Sequence, residues 1–275
     1  MVGALAGIAG VFGSLIGSFL NVVIFRLPAG RSIVAPPSAC GSCGGQIRPW
    51  DNVPVVSWLL LRGRCRDCAA GISVRYPLVE LGTAVFFWIV AWWALSGAVS
   101  TSSTTETVGL VVTLVAFLYL ASVSVALAMI DLDTHTLPNR IVLPAYPVAA
   151  MLLTAGALLA GSPDRLLTAW VGAASLFGVY LILALARPGG MGLGDVKLAG
   201  LLGRYLGWLG WAPLAAGAFS AFLLGGLFSL VLVITRRANR KSGIPFGPWM
   251  LAGAWLGILG GENIATWYLT LFGLA

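Results

Sequence analysis

Long apolar runs separated by short polar or basic segments dominate this chain. Several runs approach 20 residues, the length that a helix needs to cross the hydrocarbon core of a bilayer. The alternating pattern of a lipid-facing β-strand is not seen between them. They predict an all-α polytopic membrane protein with about eight spans, and the sixth span is the weakest because it carries Arg204. The predicted spans lie near residues 3–25, 77–99, 107–130, 141–160, 166–186, 197–211, 213–235 and 249–272.

Composition supports a membrane location. Of 275 residues, 59% are hydrophobic and only 9% are charged, which is too little polar surface for a soluble globule of this length. The formal net charge of +7 does not indicate nucleic-acid binding, because the basic residues are confined to particular loops and form no stripe.

The basic loops predict the orientation of the chain. Lys and Arg concentrate in the alternate loops 26–76, 131–140, 187–197 and 236–242, whereas the intervening connections hold only Arg165. The positive-inside rule therefore places the four basic loops in the cytoplasm and both termini outside.

Residues 26–76 form the longest polar segment and contain all four cysteines. Cys40, Cys43, Cys65 and Cys68 make two CxxC pairs, whose spacing is typical of a structural zinc site. Disulfides or a redox dithiol are the alternative, but a cytoplasmic position disfavours stable disulfides. We expect a first transmembrane helix at 1–25, a cytoplasmic four-cysteine zinc-binding module at 26–76 and a transmembrane catalytic domain at 77–275.

Two carboxylates stand out among the nine acidic residues. Asp131 directly follows the apolar run of the third span, and Asp195 ends a glycine-rich loop just before the sixth, so both are expected at the cytoplasmic boundary. Two carboxylates in one poorly solvated site cannot both ionise, and such a pair can act as general base and general acid. Ordinary alternatives are a solvated helix end for Asp131, a helix N-cap for Asp195, or an ion pathway.

The motifs together resemble those of the bacterial type IV prepilin peptidases, which are membrane aspartic proteases with a GxGD signature. That signature reads Gly192-Leu193-Gly194-Asp195, and Asp131 lies seven residues before Pro138-Asn139. Further matching segments are Gly17 to Ile24, Arg26-Leu27-Pro28, the two CxxC pairs, Asn52 to Leu59, Arg62 to Cys65, Tyr76 to Glu80, and Ile244-Pro245-Phe246-Gly247-Pro248.

The resemblance implies an endopeptidase that removes the short basic leader from prepilins or pseudopilins at the cytoplasmic face of the inner membrane. Asp131 and Asp195 match the catalytic dyad, whereas the neighbouring Asp133 does not. Gly192 and Gly194 would let the substrate backbone approach Asp195. Many members also methylate the new amino terminus with S-adenosylmethionine; we assign no cofactor-binding residue, although Glu80 is a candidate beside an equally ordinary structural role.

Two other classes of function remain open from the sequence. A transporter could use the same carboxylates to carry protons or cations, and a membrane thiol oxidoreductase could use the CxxC pairs. The single histidine, His135, and the nearby Lys197 are expected to be a solvated loop residue and a topology anchor.

Overall fold

The structure is a computed structural model that describes residues 1–97, 103–187, 191–235 and 245–273. Within these ranges the chain is helical, with isolated β-bridges only in the cysteine-containing segment. The long helices are α1 (Val2–Arg26), α3 (Arg75–Ser96), α4 (Thr104–Thr134), α5 (Asn139–Leu159), α6 (Asp164–Ala186), α7 (Leu193–Leu209), α8 (Trp211–Ile234) and α9 (Gly247–Leu271). A 3₁₀ turn (Pro49–Asn52) and the short helix α2 (Val56–Leu60) lie between α1 and α3.

The predicted all-α membrane fold is confirmed. Six of the described helices are long and apolar enough to cross a membrane, namely α1, α3, α4, α5, α6 and α8. Helices α7 and α9 stand where spans were predicted but are not among these six, so the predicted number of eight spans is approximate. The basic cluster at 236–242, together with Val99 at the end of the second predicted span, lies outside the described residues.

Local sequence explains where several helices begin and end. The Ser103 side chain accepts a hydrogen bond from the Glu106 amide and caps the start of α4. Helices α7 and α8 are separated by Gly210 alone, whose φ of 133° is accessible essentially only to glycine. Helix α7 begins at Leu193, four residues before the predicted start of the sixth span, which places Asp195 in its first turn.

The chain forms two compact units, the first comprising Met1–Ser100 and Phe117–Ala126 and the second comprising Thr101–Ala116 and Leu127–Ala275. In the first unit, α1 packs along α3 through a row of glycines. A methyl group on Gly13 would lie 2.7 Å from Phe87 Cβ, and one on Gly17 would lie 2.7 Å from the Glu80 backbone. Small residues at this spacing let helix backbones approach closely in a lipid environment.

In the second unit, α7 is the central helix and packs against α5, α6, α8 and α9. Its Gly203 and Gly207 form a GxxxG pair that meets Gly172 of α6, and most of α7 is buried. Three glycines of α9 face α8 in the same manner, namely Gly253, Gly257 and Gly261. Since lipid is as apolar as the side chains, close packing rather than a hydrophobic gain holds such helices together.

Replacing Gly203 with Ala should destabilise the second unit, because the new methyl group would lie 2.9 Å from the Gly172 carbonyl carbon and 3.0 Å from Leu176 Cβ. Such overpacking costs about 1–3 kcal/mol. The matched control is Gly178→Ala in α6, where a methyl group meets nothing within 4 Å, so the gain in helix propensity should leave stability equal or higher. Thermal unfolding midpoints of the purified variants in detergent measure the difference, and equal midpoints would contradict the close contact.

Candidate active site and metal centre

Asp131 lies one turn before the end of α4, and its side chain is buried. Only 4% of the residue is exposed, and its Oδ2 accepts a hydrogen bond from the Gly247 amide at 3.0 Å. Gly247 is the first residue of α9, where backbone N–H groups lack acceptors within the helix and the helix dipole favours an anion. The start of α9 therefore holds the Asp131 carboxylate.

Gly247 is held tightly in this position. A methyl group at Gly247 would lie 2.7 Å from Asp131 Oδ2 and 3.2 Å from Leu137 Cδ2. A larger residue here would displace the carboxylate. Gly247 falls in one of the matching sequence segments but had no predicted role, because nothing local connects it to a residue so far away in the chain.

Asp195 lies at the third position of α7, behind Gly192, which caps the helix. Its Oδ2 accepts a hydrogen bond from the Gly192 amide at 3.1 Å, which closes the first turn. The alternative that Asp195 is itself the N-cap is wrong, since that position belongs to Gly192. The Asp195 side chain is half-buried.

The two aspartates lie on either side of Leu137, which contacts a residue close to each of them. Leu137 Cβ would lie 3.1 Å from a methyl group on Gly194, next to Asp195, and Leu137 also lies against Gly247, which holds Asp131. The two carboxylates interact electrostatically. Within the described residues each accepts one backbone hydrogen bond at Oδ2, which leaves Oδ1 for a proton, a water molecule or a substrate.

An aromatic cluster that sequence reasoning missed borders the site. Tyr180 is almost fully buried, and its ring centroid lies 5.2 Å from that of Phe222 and 6.3 Å from that of Phe246. Phe246 directly precedes Gly247, and Tyr180 interacts electrostatically with Asp195. The cluster thus adjoins the residue whose amide holds Asp131.

The other polar residues near the dyad have structural roles. Lys197 Nζ donates to Asn139 Oδ1 at 3.0 Å and so ties α7 to the start of α5. His135 is exposed and adopts a left-handed conformation that ends α4, and Asp133 is also exposed.

The four cysteines converge in the first unit. The Sγ atoms of Cys40, Cys43, Cys65 and Cys68 all lie within 4.8 Å of one another. The distance between Cys40 Sγ and Cys68 Sγ is 3.8 Å, far too long for a disulfide. A zinc ion with Zn–S bonds of about 2.3 Å in a tetrahedron separates its sulfurs by about 3.8 Å. The donor set therefore fits a four-coordinate zinc ion.

Two equivalent turns present these sulfurs. In the first turn the Gly44 amide donates to the Cys40 carbonyl, and in the second the Ala69 amide donates to the Cys65 carbonyl. Each turn is closed by one isolated β-bridge, and these bridges pair Ala39 with Gln46 and Arg64 with Gly71. This arrangement directs both sulfurs of each CxxC pair toward a common centre.

The thiols are electrostatically coupled. Hydrogen bonds from the Cys43 and Ser42 amides lower the pKa of Cys40 to about 6. The Ala70 amide lowers the pKa of Cys68, but the neighbouring thiols and burial outweigh it and raise this pKa to about 12. Four thiols this close resist joint ionisation, and a divalent cation supplies the charge that stabilises all four thiolates.

Two family models match the chain in succession. The model described as the bacterial peptidase A24 N-terminal domain matches residues 11–94, and that of the type IV leader peptidase family matches residues 118–232. A Pseudomonas putida protein named prepilin leader peptidase/N-methyltransferase is 35% identical over 97% of this chain and 94% of its own length. The chain belongs to the type IV leader peptidase family.

Other relatives of the same printed name are similar over nearly their whole length. The Pseudomonas aeruginosa protein is 35% identical over 96% of this chain and 93% of its own length. The Bacillus subtilis protein is 31% identical over 95% of this chain and 96% of its own length. No solved structure gives a significant match. The predicted family is confirmed, and the transporter alternative gains no support from these comparisons.

The region matched by the A24 N-terminal model contains the cysteines and Glu80. Glu80 Oε2 accepts a hydrogen bond from the Val55 amide at 2.7 Å, and Val55 has a φ of 61°, which is strained for a β-branched residue. Asn21 Nδ2 donates to the Tyr76 carbonyl at 3.1 Å and links α1 to the start of α3. Glu80 thus anchors the segment that precedes α2, which gives it a structural role.

Replacing Gly247 with Ala should lower the leader-peptidase activity, because the added methyl group displaces the Asp131 carboxylate. Gly226→Ala in α8 is the matched control, since a methyl group there meets nothing within 4 Å. Cleavage rates of both variants, measured at equal amounts of folded protein, test the contact. Wild-type rates in Gly247→Ala would show that the Asp131 position tolerates the displacement.

Purified protein should contain about one zinc ion per chain, and Cys43→Ser should lose it, because three thiolates and a hydroxyl bind zinc far more weakly. The matched control is Ser42→Ala, which changes an exposed side chain between the two ligands of the same turn. Elemental analysis by mass spectrometry measures the metal. Full zinc in Cys43→Ser, or none in the wild type, would contradict the metal centre.

Proposed function

We propose that this chain is a membrane aspartic endopeptidase that removes the leader from type IV prepilins or pseudopilins, with Asp131 and Asp195 as its catalytic dyad. The observation that carries the dyad is that Leu137 lies against both Gly247, whose amide holds Asp131, and Gly194, the neighbour of Asp195. The Asp195 carboxylate is held by the Gly192 amide. The names of the curated relatives support the substrate. No observation favours transport.

The chemistry follows from the coupling of the two carboxylates. Repulsion between them favours a state with one proton on the pair. The ionised carboxylate takes a proton from a water molecule as the water attacks the scissile carbonyl, and the protonated carboxylate donates to the carbonyl oxygen. The two helix N-termini keep the carboxylates in place, and the exposed Gly192 leaves room for a peptide backbone.

The substrate reaches this site from the bilayer. Prepilins carry a basic leader in front of an apolar helix, so the apolar helix enters laterally and the leader stays at the membrane boundary. The distribution of Lys and Arg among the loops supports a cytoplasmic position for the dyad and for the cysteine module at 26–76, in the inner membrane. Residues 77–275 would then form the peptidase domain.

A second activity is methylation of the new amino terminus, which the word N-methyltransferase in the names of the relatives supports. S-adenosylmethionine would supply the methyl group to the freed amine. A zinc ion bound by Cys40, Cys43, Cys65 and Cys68 would have no open coordination position, so it would stabilise the fold of its module and take no part in methyl transfer. We assign no residue to the methyl donor.

Asp131→Asn and Asp195→Asn should each reduce leader cleavage by at least about a hundredfold, since each removes one partner of the proton transfer. Asp133→Asn is the matched control, because it changes an exposed carboxylate on the same helix end. Mass spectrometry of a co-expressed prepilin reads the cleaved and methylated amino termini in one experiment. Retained cleavage in either dyad variant would overturn the catalytic assignment, and an unmethylated product from active enzyme would count against the second activity.

A further inference from the structure

Arg204 is a buried cation in the middle of the second unit. Only 3% of the residue is exposed, and its Nε has no hydrogen-bond partner in the part of the chain that the structure describes. The guanidinium carbon lies 3.9 Å from the ring centroid of Trp170 on α6. The nearby Arg165 lies 4.6 Å from the ring centroid of Trp208. Each of the two helices thus contributes one guanidinium group and one indole, and each guanidinium group stacks on the indole of the other helix.

Within the described ranges, no carboxylate forms an ion pair with either of these arginines. The ion pairs of Arg48 with Asp67 and of Arg66 with Asp51 lie in the cysteine module instead. A guanidinium within a membrane bundle costs several kcal/mol unless an anion or water compensates it. Stacking on Trp170 occupies one face of the Arg204 guanidinium, but its hydrogen-bond donors lie in the plane and remain directed elsewhere.

The positions of Arg204 and Arg165 along their helices indicate which anion could compensate their charge. Arg204 is five residues from the end of α7, or about 7.5 Å along the helix axis, and about 14 Å from Asp195. Arg165 is in the first turn of α6, a helix long and apolar enough to span the membrane. Trp170 is 58% exposed, and it lies six residues, or about 9 Å along the axis, after the start of α6.

Within the described residues the carboxylates at this end are Asp164, next to Arg165, and Glu262, whose Oε1 would lie 3.7 Å from a methyl group on Gly210. Both are exposed and neither forms an ion pair with the two arginines, so a lipid phosphate remains as the compensating anion.

We propose that Arg204 and Arg165, together with Trp170 and Trp208, form a binding site for the phosphate of an anionic phospholipid, at the end of α7 opposite the catalytic aspartates. The phosphate oxygens accept hydrogen bonds from both guanidinium groups. The headgroup would reach Arg204 past Trp170, whose ring covers the guanidinium and is itself largely exposed. The lipid then bridges α6 and α7 at the end where their glycine contact finishes.

The test compares lipid binding by purified full-length protein, using native mass spectrometry with phosphatidylglycerol and with zwitterionic phosphatidylcholine. Wild-type protein should retain phosphatidylglycerol preferentially. Arg204→Met and Arg165→Met should each weaken that retention by about fivefold, the effect of one basic residue on an anionic headgroup. Arg187→Met is the matched control, since it removes an exposed arginine from the opposite end of α6 and should leave retention unchanged.

Further variants and a phosphate control distinguish lipid binding from a purely structural role of the arginines and from binding of free phosphate. Arg204→Lys keeps the charge and should keep most of the preference, and Arg165→Met acts on an exposed residue whose loss does not threaten folding. Equal retention of both lipids by the wild type, or an unchanged preference in Arg204→Met and Arg165→Met, would overturn the proposal. Protection from thermal unfolding by inorganic phosphate alone, equal to that by phosphatidylglycerol, would also overturn it.

Discussion

The glycine contact between α6 and α7 determines the geometry of the second unit. Gly172, Gly203 and Gly207 let the two backbones touch, and α7 becomes a central helix with neighbours on several sides. Lipid offers no hydrophobic gain for helix association, so only such close packing fixes the helix positions. The first turn of α7 carries Asp195, and the placement of this carboxylate therefore depends on a contact made further along the same helix.

The site uses helix ends to hold charge. At the start of α9, the Gly247 amide donates a hydrogen bond to Asp131, and at the start of α7, the Gly192 amide donates one to Asp195. Both carboxylates thereby gain a partner that side chains need not supply, which suits a region poor in polar residues. Leu137 lies against both Gly247 and Gly194, the residue next to Asp195.

The cysteine module achieves order by different means. It is too short to build a core, and its two turns depend on four sulfurs around one centre, supplemented by surface ion pairs such as Arg66 with Asp51. The Asp51 pKa is lowered by its hydrogen bond with Arg66. Within the first unit, Glu80 connects this module to α3 through the strained Val55 turn. Close helix packing and the four-cysteine cluster thus order different parts of the chain.

The sequence by itself determined the helical membrane architecture, because a backbone in lipid must satisfy its own hydrogen bonds and apolar runs of this length can do so only as helices. It also predicted the convergence of the four cysteines, since CxxC spacing constrains the sulfurs locally, and it drew attention to the two aspartates through their motifs. Three contacts come from the tertiary structure alone. The Gly247 amide holds Asp131, Leu137 lies against both Gly247 and Gly194, and Arg204 stacks on Trp170. These contacts join residues far apart in the chain, and they depend on how closely the helices pack, which no local pattern specifies.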